Sequence, residues 1–234
     1  MPNGTTHQGN PVSLHENFGY LPTISHTEAT YAAEDRGYVH GTAKRALDLL
    51  IAIPLLVLLA PLMGLLALTI RLGSPGFVFF QQTRLGMNGA PFQILKFRSM
   101  SVLENGPVVT QVCEGDARIT AAGRWMRRLS LDELPQLINV INGEMSLIGP
   151  RPHALAHDRH YSRLIGGYDR RQSVKPGVSG WAQIHGHRGA TMTTSRMRER
   201  LAYDVWYTKN ANFALDIQIL FRTIGEVLKQ RNAY

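Results

Sequence analysis

The stretch SLDELPQLINVINGEMSLIGPRP, residues 130–152, decides how the rest of the chain is interpreted. Two adjacent carboxylates, Asp132 and Glu133, lie near its start, and Arg151 lies near its end. Arg127 and neighbouring arginines precede it. A carboxylate can attack phosphorus and carry the phosphoryl group covalently, provided that nearby cations neutralise the approaching substrate. This pattern therefore predicts chemistry on a phosphate.

The local structure around the two carboxylates has two interpretations. Ser130 and Glu133 match the Ser-x-x-Glu capping box, in which Ser130 caps a helix and Glu133 reaches back to it. Pro135 favours a helix that begins there, which leaves the carboxylates in the preceding turn. In both cases Asp132 lies near the positive end of a helix, which favours its ionised form. Gly143 is expected to end this helix.

Several cations outside this stretch are candidate phosphate ligands. Arg151 lies between two prolines, and a rigid arginine suits bidentate phosphate recognition. Lys96 and Arg98 share one face of a predicted strand. They either bind a diphosphate or are solvated charges that protect an exposed strand edge. Lys175 and Trp181 bound the glycine-bearing loop KPGVSGW, which could hold a nucleotide base and its phosphate. These four basic residues and the tryptophan are candidate substrate contacts.

The apolar run at residues 49–70 contains one polar side chain, Thr69, and no charge. Its length suits a transmembrane helix. Pro54 and Pro61, however, each remove a backbone donor, and their spacing of nearly two turns bends the helix twice in one direction. Basic residues flank both ends, whereas a spanning helix shows a bias to one side. We therefore expect a re-entrant helix over residues 42–72, with a spanning helix as the alternative.

The remaining segments complete a helix-rich α+β prediction for the 234-residue chain. Residues 1–41 lack an apolar period and are expected to form a disordered tail, and residues 73–234 form a cytosolic catalytic domain with membrane-surface helices. Helical spacing predicts helices after Thr120, over 196–207 and over 216–230, and short strands are expected at 77–82 and 91–98. The apolar stripe of the last helix consists of Ile217, Leu220, Ile224 and Leu228.

The net charge and the cysteine and histidine content argue against a disulfide-bonded protein, a histidine metal site and a nucleic-acid binder. A net charge of +8 implies an anionic partner, and one cysteine, Cys113, excludes intrachain disulfides and points to a reducing cytosol. His153, His157 and His160 have the i, i+4, i+7 spacing of metal ligands on a helix, but their polar neighbours favour a solvated helical face. A nucleic-acid binder explains the charge and leaves the apolar run unexplained, so we expect no nucleic-acid partner.

In their content and order these motifs resemble the bacterial sugar transferase family, the monotopic polyprenyl-phosphate phosphoglycosyltransferases. The resemblance extends from about residue 44 to the end of the chain. It rests on the apolar segment with its internal proline and on SPGFVFFQQTRLGMNGAPFQILKFRSM, RRLSLDELPQLINVINGEMSLIGPRPH and VKPGVSGWAQIHGHRG. The C-terminal third is most similar to the undecaprenyl-phosphate glucose phosphotransferase branch.

The resemblance implies transfer of a sugar 1-phosphate from a UDP-sugar to undecaprenyl phosphate, with release of UMP. Asp132 would form a covalent phosphosugar intermediate, and Glu133 would orient the dyad or assist Mg²⁺, so both carboxylates are candidate metal ligands. Pro61 matches the helix-breaking proline of the family. The phosphate-binding motifs of the family contain Lys96, Arg98, Arg127 and Arg151.

The same resemblance implies the cofactor, the partners and the location. It implies Mg²⁺, a UDP-sugar, undecaprenyl phosphate and the cytoplasmic leaflet of the inner membrane, at the first membrane step of exopolysaccharide or capsule synthesis. Glucose is the first expectation for the sugar, and galactose or an N-acetylated sugar stays open, as does a homodimer. A catalytically silent membrane scaffold is the rival from another class, and the intact Asp132 and Glu133 speak against it.

Overall fold

The computed structural model of the chain describes residues 37–101, 111–112, 115–191 and 193–228. All of these residues belong to one compact unit. The predicted disordered tail lies outside the described residues except for residues 37–41, and Cys113 lies outside them as well.

Helices dominate the described part of the chain, and its strands are short. In chain order its helices and strands are α1 (Thr42–Gly73), β1 (Phe79–Leu85), β2 (Pro91–Phe97), α2 (Ala121–Arg128), α3 (Gln136–Asn142), β3 (Ser146–Ile148), α4 (Leu155–Leu164), β4 (Gly177–Ser179), α5 (Trp181–Ile184), α6 (Thr194–Asn210) and α7 (Phe213–Leu228). The helix-rich α+β class is therefore confirmed.

The strands form two small sheets. β1 and β2 pair as an antiparallel hairpin in which Phe79 faces Phe97 and Leu85 faces Pro91. Aromatic content and the Asn88-Gly89 turn predicted this hairpin, and Asn88 has a φ of 56° inside the turn. β3 and β4 pair in parallel. The GPRP sequence directly follows β3, and the KPG sequence ends at the first residue of β4.

Two glycines bring the second sheet's segments into close contact. A Cβ at Gly177 would lie 2.1 Å from the backbone nitrogen of Gly149, and a Cβ at Gly149 would lie 2.4 Å from the carbonyl oxygen of Lys175. No side chain fits at such distances. The loop beginning at Lys175 therefore supports the backbone that leads to Arg151.

The longest helix, α1, has 32 residues and contains both Pro54 and Pro61. It is the one helix in the described part of the chain that is long and apolar enough to cross a membrane, with a mean hydropathy of 2.7 and 11% burial in its most apolar window. Several of its apolar side chains are solvent-exposed, among them Val57 at 70% and Leu58 at 74%. Much of its surface therefore lacks a protein partner.

Polar contacts attach the first turns of α1 to the domain. Lys44 donates to the buried carboxylate of Asp216 at 2.5 Å. Asp48 accepts from the Ser146 hydroxyl at 2.9 Å, and Arg45 donates to two carbonyl oxygens at the end of α3. Pairing of this kind offsets the cost of burying charged groups. The start of the apolar helix is therefore fixed to α3, β3 and α7.

The far end of α1 is attached mainly by apolar packing. Leu66 lies in a cluster with Phe97 of β2 and Met126 of α2, and all three are buried. Arg98 donates to the Ser74 carbonyl oxygen at 2.8 Å, which satisfies a backbone group just beyond the end of α1. Both ends of the apolar helix thus contact the same compact unit.

The face that α7 buries differs from the predicted stripe. Leu215, Asp216 and Ile219 are buried, whereas Ile224 is 59% exposed. The predicted stripe is therefore buried only in part: Leu220 packs against the core, Ile217 is half-buried and Ile224 is exposed, while the side chain of Leu228 lies outside the described residues. Asp216 faces inward because it receives hydrogen bonds from Lys44 and two tyrosines, and apolar periodicity does not register such a buried carboxylate.

Candidate active site

The two carboxylates lie in a 3₁₀ turn, Leu131–Glu133, between α2 and α3. Ser130 precedes the turn with a φ of 59° and makes no side-chain cap hydrogen bond, so the predicted capping box does not form. α3 begins directly after Pro135, which confirms the alternative prediction. Gly143 ends α3 with a φ of 84°, as expected for a left-handed helix end.

Glu133 is held by two cations. Lys96 of β2 donates to Oε1 at 2.9 Å, and Arg151 donates to Oε2 at 3.0 Å and also to Oε1. Burial alone would raise the pKa of Glu133, but Arg151 and Lys96 hold this pKa well below its usual range. Glu133 is therefore ionised, and both of its oxygens are already engaged.

The surroundings of Asp132 differ from those of Glu133, because no donor in the described part of the chain binds its carboxylate. It is 6% exposed, and among the described residues it makes no hydrogen bond or ion pair. Burial and the neighbouring Glu133 raise its pKa, against the opposing charges of Lys96 and Arg127. Burial therefore opposes the ionised form of Asp132 that the nearby helix end is predicted to favour. A desolvated carboxylate without a donor is well suited to attack phosphorus.

Two further arginines, from different segments of the chain, act on the dyad through their charge. Arg127 of α2 lies 3.5 Å from the Ser99 hydroxyl, and its charge lowers the pKa of Asp132. Arg188 donates a hydrogen bond to the Ser130 hydroxyl, and its charge interacts with both carboxylates. Sequence analysis missed Arg188. It could have been identified as a candidate because it is the only lysine or arginine at positions 176–195.

Arg98 and Lys175 lie in other surroundings. Arg98 is buried with its guanidinium against the end of α1, where it donates to Ser74 and Pro75. Lys175 lies beside the end of α3, where a Cβ at Gly143 would lie 3.6 Å from its Nζ. Burial and the nearby Arg45 lower the pKa of Lys175.

Trp181 belongs to an aromatic group between α5 and α6. Its ring stacks on Trp206 with a centroid distance of 4.7 Å and meets the edge of His185 at 4.1 Å. These contacts make Trp181 part of the packing between helices. The structure thus brings Lys96, Arg127 and Arg151 to the dyad, and it engages Arg98, Lys175 and Trp181 elsewhere.

A buried polar cluster lies behind Arg151. α4 begins at Leu155, so His153 precedes the helix and is only 7% exposed. Its Nδ1 lies 2.5 Å from the hydroxyl of Tyr168, which donates to Asp158 at 2.8 Å. The predicted solvated helical face is therefore wrong for His153, because Pro152 delays the start of the helix. Among the described residues, no three side chains of the His, Cys, Asp or Glu type gather as a metal site.

Arg171 connects this cluster to the site. It donates to the carbonyl oxygen of Arg151 through Nη2 and to Asp204 of α6 through Nε at 2.9 Å. Burial alone would lower the pKa of Arg171, but Asp204 raises it. The backbone of Arg151 is therefore fixed from behind by a charge that is itself paired.

The donor set accommodates Mg²⁺ through one carboxylate. Mg²⁺ in phosphate-handling sites commonly binds one or two carboxylates together with substrate phosphates and water. Asp132 has no protein donor, whereas both oxygens of Glu133 accept from Lys96 and Arg151. Asp132 therefore fits as a protein ligand, and Glu133 would have to exchange a cation to serve as a second one.

The sequence was compared with known proteins. The model of the family described as "Bacterial sugar transferase" matches residues 39–230. A Caulobacter vibrioides protein named UDP-glucose:undecaprenyl-phosphate glucose-1-phosphate transferase is 50% identical over 191 residues, which cover 82% of this chain and 72% of that protein. An Escherichia coli (strain K12) protein with the same name is 48% identical over 196 residues, covering 84% of this chain and 42% of that protein.

A more distant relative carries a different sugar in its name. The UDP-N-acetylgalactosamine-undecaprenyl-phosphate N-acetylgalactosaminephosphotransferase of Aeromonas hydrophila is 41% identical over 193 residues, covering 81% of this chain and 44% of that protein. The chain thus spans less than half of the Escherichia coli and Aeromonas relatives. Since the family model covers most of the chain, including the dyad and the cations around it, the chain belongs to the bacterial sugar transferase family.

Proposed function

We propose that the protein transfers a sugar 1-phosphate from a UDP-sugar to undecaprenyl phosphate and releases UMP. The observation that carries this proposal is the pairing of a buried Asp132 that has no protein donor with a Glu133 that has several. Cations around an available carboxylate suit a reaction in which both substrates bring phosphates. The names of the relatives supply the class of substrate.

The proposed reaction has two displacements at one phosphorus atom. A carboxylate oxygen of Asp132 attacks the phosphorus that bears the sugar, and the bond to the bridging oxygen breaks, so that UMP leaves with the electron pair. An oxygen of undecaprenyl phosphate then attacks the same phosphorus and displaces Asp132. The sum of the steps is UDP-sugar plus undecaprenyl phosphate giving undecaprenyl diphosphate sugar plus UMP.

The other charged residues have distinct tasks in this proposal. Glu133 keeps Lys96 and Arg151 in place beside Asp132, because one ionised carboxylate binds both cations. These cations and Arg127 offset the charge of the incoming phosphates. Mg²⁺ bound by Asp132 and by substrate oxygens would supply further positive charge at the phosphates.

Glucose is the proposed sugar, since two relatives that share about half of this chain's residues are named for UDP-glucose. The Aeromonas relative is named for an N-acetylated sugar at 41% identity, so UDP-N-acetylated sugars are the first alternative and UDP-galactose is the second. The product would begin a repeat unit of an exopolysaccharide or capsule.

We further propose that α1 is re-entrant and that the domain faces the cytoplasm at the inner membrane. At about 1.5 Å per residue a straight helix of this length exceeds a hydrocarbon core of about 30 Å. Both ends of α1 nevertheless contact one compact unit, through Lys44 and Asp48 at one end and Leu66 at the other. A helix that returns to its starting side explains this arrangement together with Pro54 and Pro61.

The topology can be tested with single cysteines in a Cys113→Ser background. His40→Cys and Gly73→Cys place exposed thiols before and at the end of α1. A membrane-impermeant maleimide should label neither in intact spheroplasts and both after lysis. Labelling of one position in intact spheroplasts would show a spanning helix.

The reaction can be tested by measuring UMP release from detergent-purified protein with undecaprenyl phosphate and Mg²⁺. UDP-glucose, UDP-galactose and UDP-N-acetylated sugars are compared side by side, and the lipid product is identified by mass spectrometry. Preference for UDP-glucose supports the full proposal, and preference for another donor changes only the sugar. No release from folded protein with any donor would favour the membrane-scaffold interpretation.

A further inference from the structure

We infer that Arg188 binds the phosphate of the nucleotide, the group that leaves as UMP, while the lipid phosphate approaches from the side of Arg127. This inference rests on the proposed function and deepens it. It assigns the two phosphate substrates to opposite sides of one carboxylate. Three observations concern the position, the partners and the anchoring of Arg188, and a fourth concerns the position of Arg127.

The first observation is the position of Arg188 next to the dyad. Its Nη2 donates to the hydroxyl of Ser130, and Ser130 directly precedes the turn that carries Asp132 and Glu133. The backbone of the same turn is closed by the Glu133 nitrogen, which donates to the Ser130 carbonyl at 3.1 Å. A guanidinium at this point is close enough to the dyad for its charge to interact with both carboxylates.

The second observation is that Arg188 is partly buried and incompletely paired. Its one hydrogen bond among the described residues is to the neutral hydroxyl of Ser130, and it makes no ion pair with them. Burial lowers its pKa, only partly offset by the charge of Glu133. A guanidinium has five N–H donors in a fork that matches phosphate. Lys96 and Arg151, in contrast, are already bound to Glu133.

The third observation is how the loop that carries Arg188 is anchored. The ring of His187 packs against Tyr203 of α6 in a tilted arrangement, with a centroid distance of 4.8 Å, and Arg200 of α6 donates to the carbonyl oxygen of Gly189. The residues on both sides of Arg188 are thus fixed to α6. The guanidinium therefore reaches the dyad from the α6 side and has a rigid base.

The fourth observation is that Arg127 belongs to α2, which packs on the apolar helix α1. α2 packs on α1 through Met126, which shares a buried cluster with Met63 and Leu66. A lipid phosphate whose chain lies along the exposed apolar surface of α1 meets the α2 side first. The uridine part of the soluble substrate is polar and gains no free energy from contact with the apolar helix. The soluble substrate would therefore bind from the α6 side.

A structural role offers the competing explanation, in which Arg188 only holds Ser130 in its left-handed conformation. Ser130 has a φ of 59°, so the turn needs some stabilisation. Two variants separate these roles. Ser130→Ala removes the hydroxyl acceptor and keeps the guanidinium, whereas Arg188→Gln keeps Ser130 and removes the charge.

The test measures UMP binding to the full-length protein in detergent micelles with Mg²⁺ by isothermal titration calorimetry. Arg188→Gln should weaken the affinity for UMP by about tenfold or more, as expected for a lost charged hydrogen bond to phosphate. Arg188→Lys should recover part of the affinity, and Ser130→Ala should stay within about twofold of the parent protein. Arg163→Gln, an exposed arginine on α4, is the matched control.

Lipid binding provides the second readout. The KM for undecaprenyl phosphate should rise in Arg127→Gln and stay within about twofold of the parent value in Arg188→Gln. The inference is overturned if Arg188→Gln binds UMP like the parent protein, if Ser130→Ala weakens UMP as much as Arg188→Gln does, or if Arg188→Gln raises the lipid KM instead.

The calorimetric measurement needs no turnover, so it separates this inference from the proposed reaction. A parent protein that binds UMP through Arg188 and forms no lipid product would refute the transfer reaction alone. A parent protein that forms the product while Arg188→Gln keeps its UMP affinity would refute the assignment of Arg188 alone. Thermal melting of Arg188→Gln and Arg188→Lys checks that each variant is folded.

Discussion

Two groups of buried charge lie on either side of Arg151, and they differ in how their carboxylates are paired. In the cluster behind it, Asp158 accepts from Tyr168 at 2.8 Å and Asp204 accepts from Arg171 at 2.9 Å. In the dyad in front of it, Glu133 is bound by cations and Asp132 has no donor among the described residues.

This difference indicates that the cluster behind Arg151 supports the structure and that the dyad in front of it is the functional site. Desolvating a carboxylate costs free energy that pairing recovers in part. Asp158 and Asp204 are both hydrogen-bonded in this way, although burial still raises the pKa of each. At Asp132 the charges of Lys96 and Arg127 offset part of the cost, but no donor among the described residues binds the carboxylate, which is reasonable if a substrate or an ion completes the environment. The largest perturbations of function should therefore come from Asp132, and the largest perturbations of stability from the cluster behind Arg151.

Asp132→Asn should have the largest effect. The amide keeps the shape of the carboxylate and cannot act as the nucleophile, so UMP release should fall by at least about 10³-fold. A covalent phosphosugar adduct, sought by intact-protein mass spectrometry with UDP-glucose and no lipid, should be absent from this variant and present in the parent protein. Product formation at the parent rate would refute the covalent role of Asp132.

Asp204→Asn should affect stability strongly. Removing its charge leaves Arg171 buried without its closest carboxylate, and breaking such a pair costs about 3–5 kcal/mol. We expect a clear loss of apparent melting temperature in detergent, followed by loss of activity as Arg151 loses its support.

Asp169→Asn is the matched control for Asp204→Asn, because Asp169 is exposed on the same 3₁₀ segment as Arg171. It should melt like the parent protein. Equal melting temperatures for both variants would show that the cluster behind Arg151 does not contribute as a paired unit.

The sequence predicted the parts of this arrangement that depend on local rules. Pro135 at a helix start, Gly143 at a helix end and the Asn88-Gly89 hairpin follow from the backbone preferences of single residues. The family resemblance named the dyad, and the structure places Lys96 and Arg151 on Glu133.

The parts that sequence analysis missed depend on contacts between distant segments. Arg171 reaches the carbonyl of Arg151 from 20 positions away, and Arg188 reaches Ser130 from 58 positions away. His153 has helical spacing to its neighbours and still lies outside α4. Periodicity shows which residues share a face, but it does not show which polar side chain a tertiary contact will bury.

Glu133→Gln should slow the reaction without abolishing it. Glutamine keeps one acceptor oxygen but loses the charge that holds Lys96 and Arg151 together, so these cations are positioned less well. We expect UMP release to fall by about 10- to 100-fold, with the phosphosugar adduct still formed. Loss of the adduct itself, as severe as in Asp132→Asn, would show that Glu133 takes part in the attack.

The smallest expected effect is a gain in stability from Asp132→Asn that depends on pH. Because burial raises the folded-state pKa of Asp132, the parent protein loses stability as the pH rises from the unfolded-state pKa of about 3.9 through the folded-state value. Asparagine carries no charge, so at pH 7 the variant should be more stable by about 1–3 kcal/mol and should melt at a higher temperature. This advantage should disappear near pH 4, where Asp132 is protonated in the folded protein. An Asp132→Asn variant that melts below the parent protein at pH 7 would mean that the ionised carboxylate is stabilised within the protein after all.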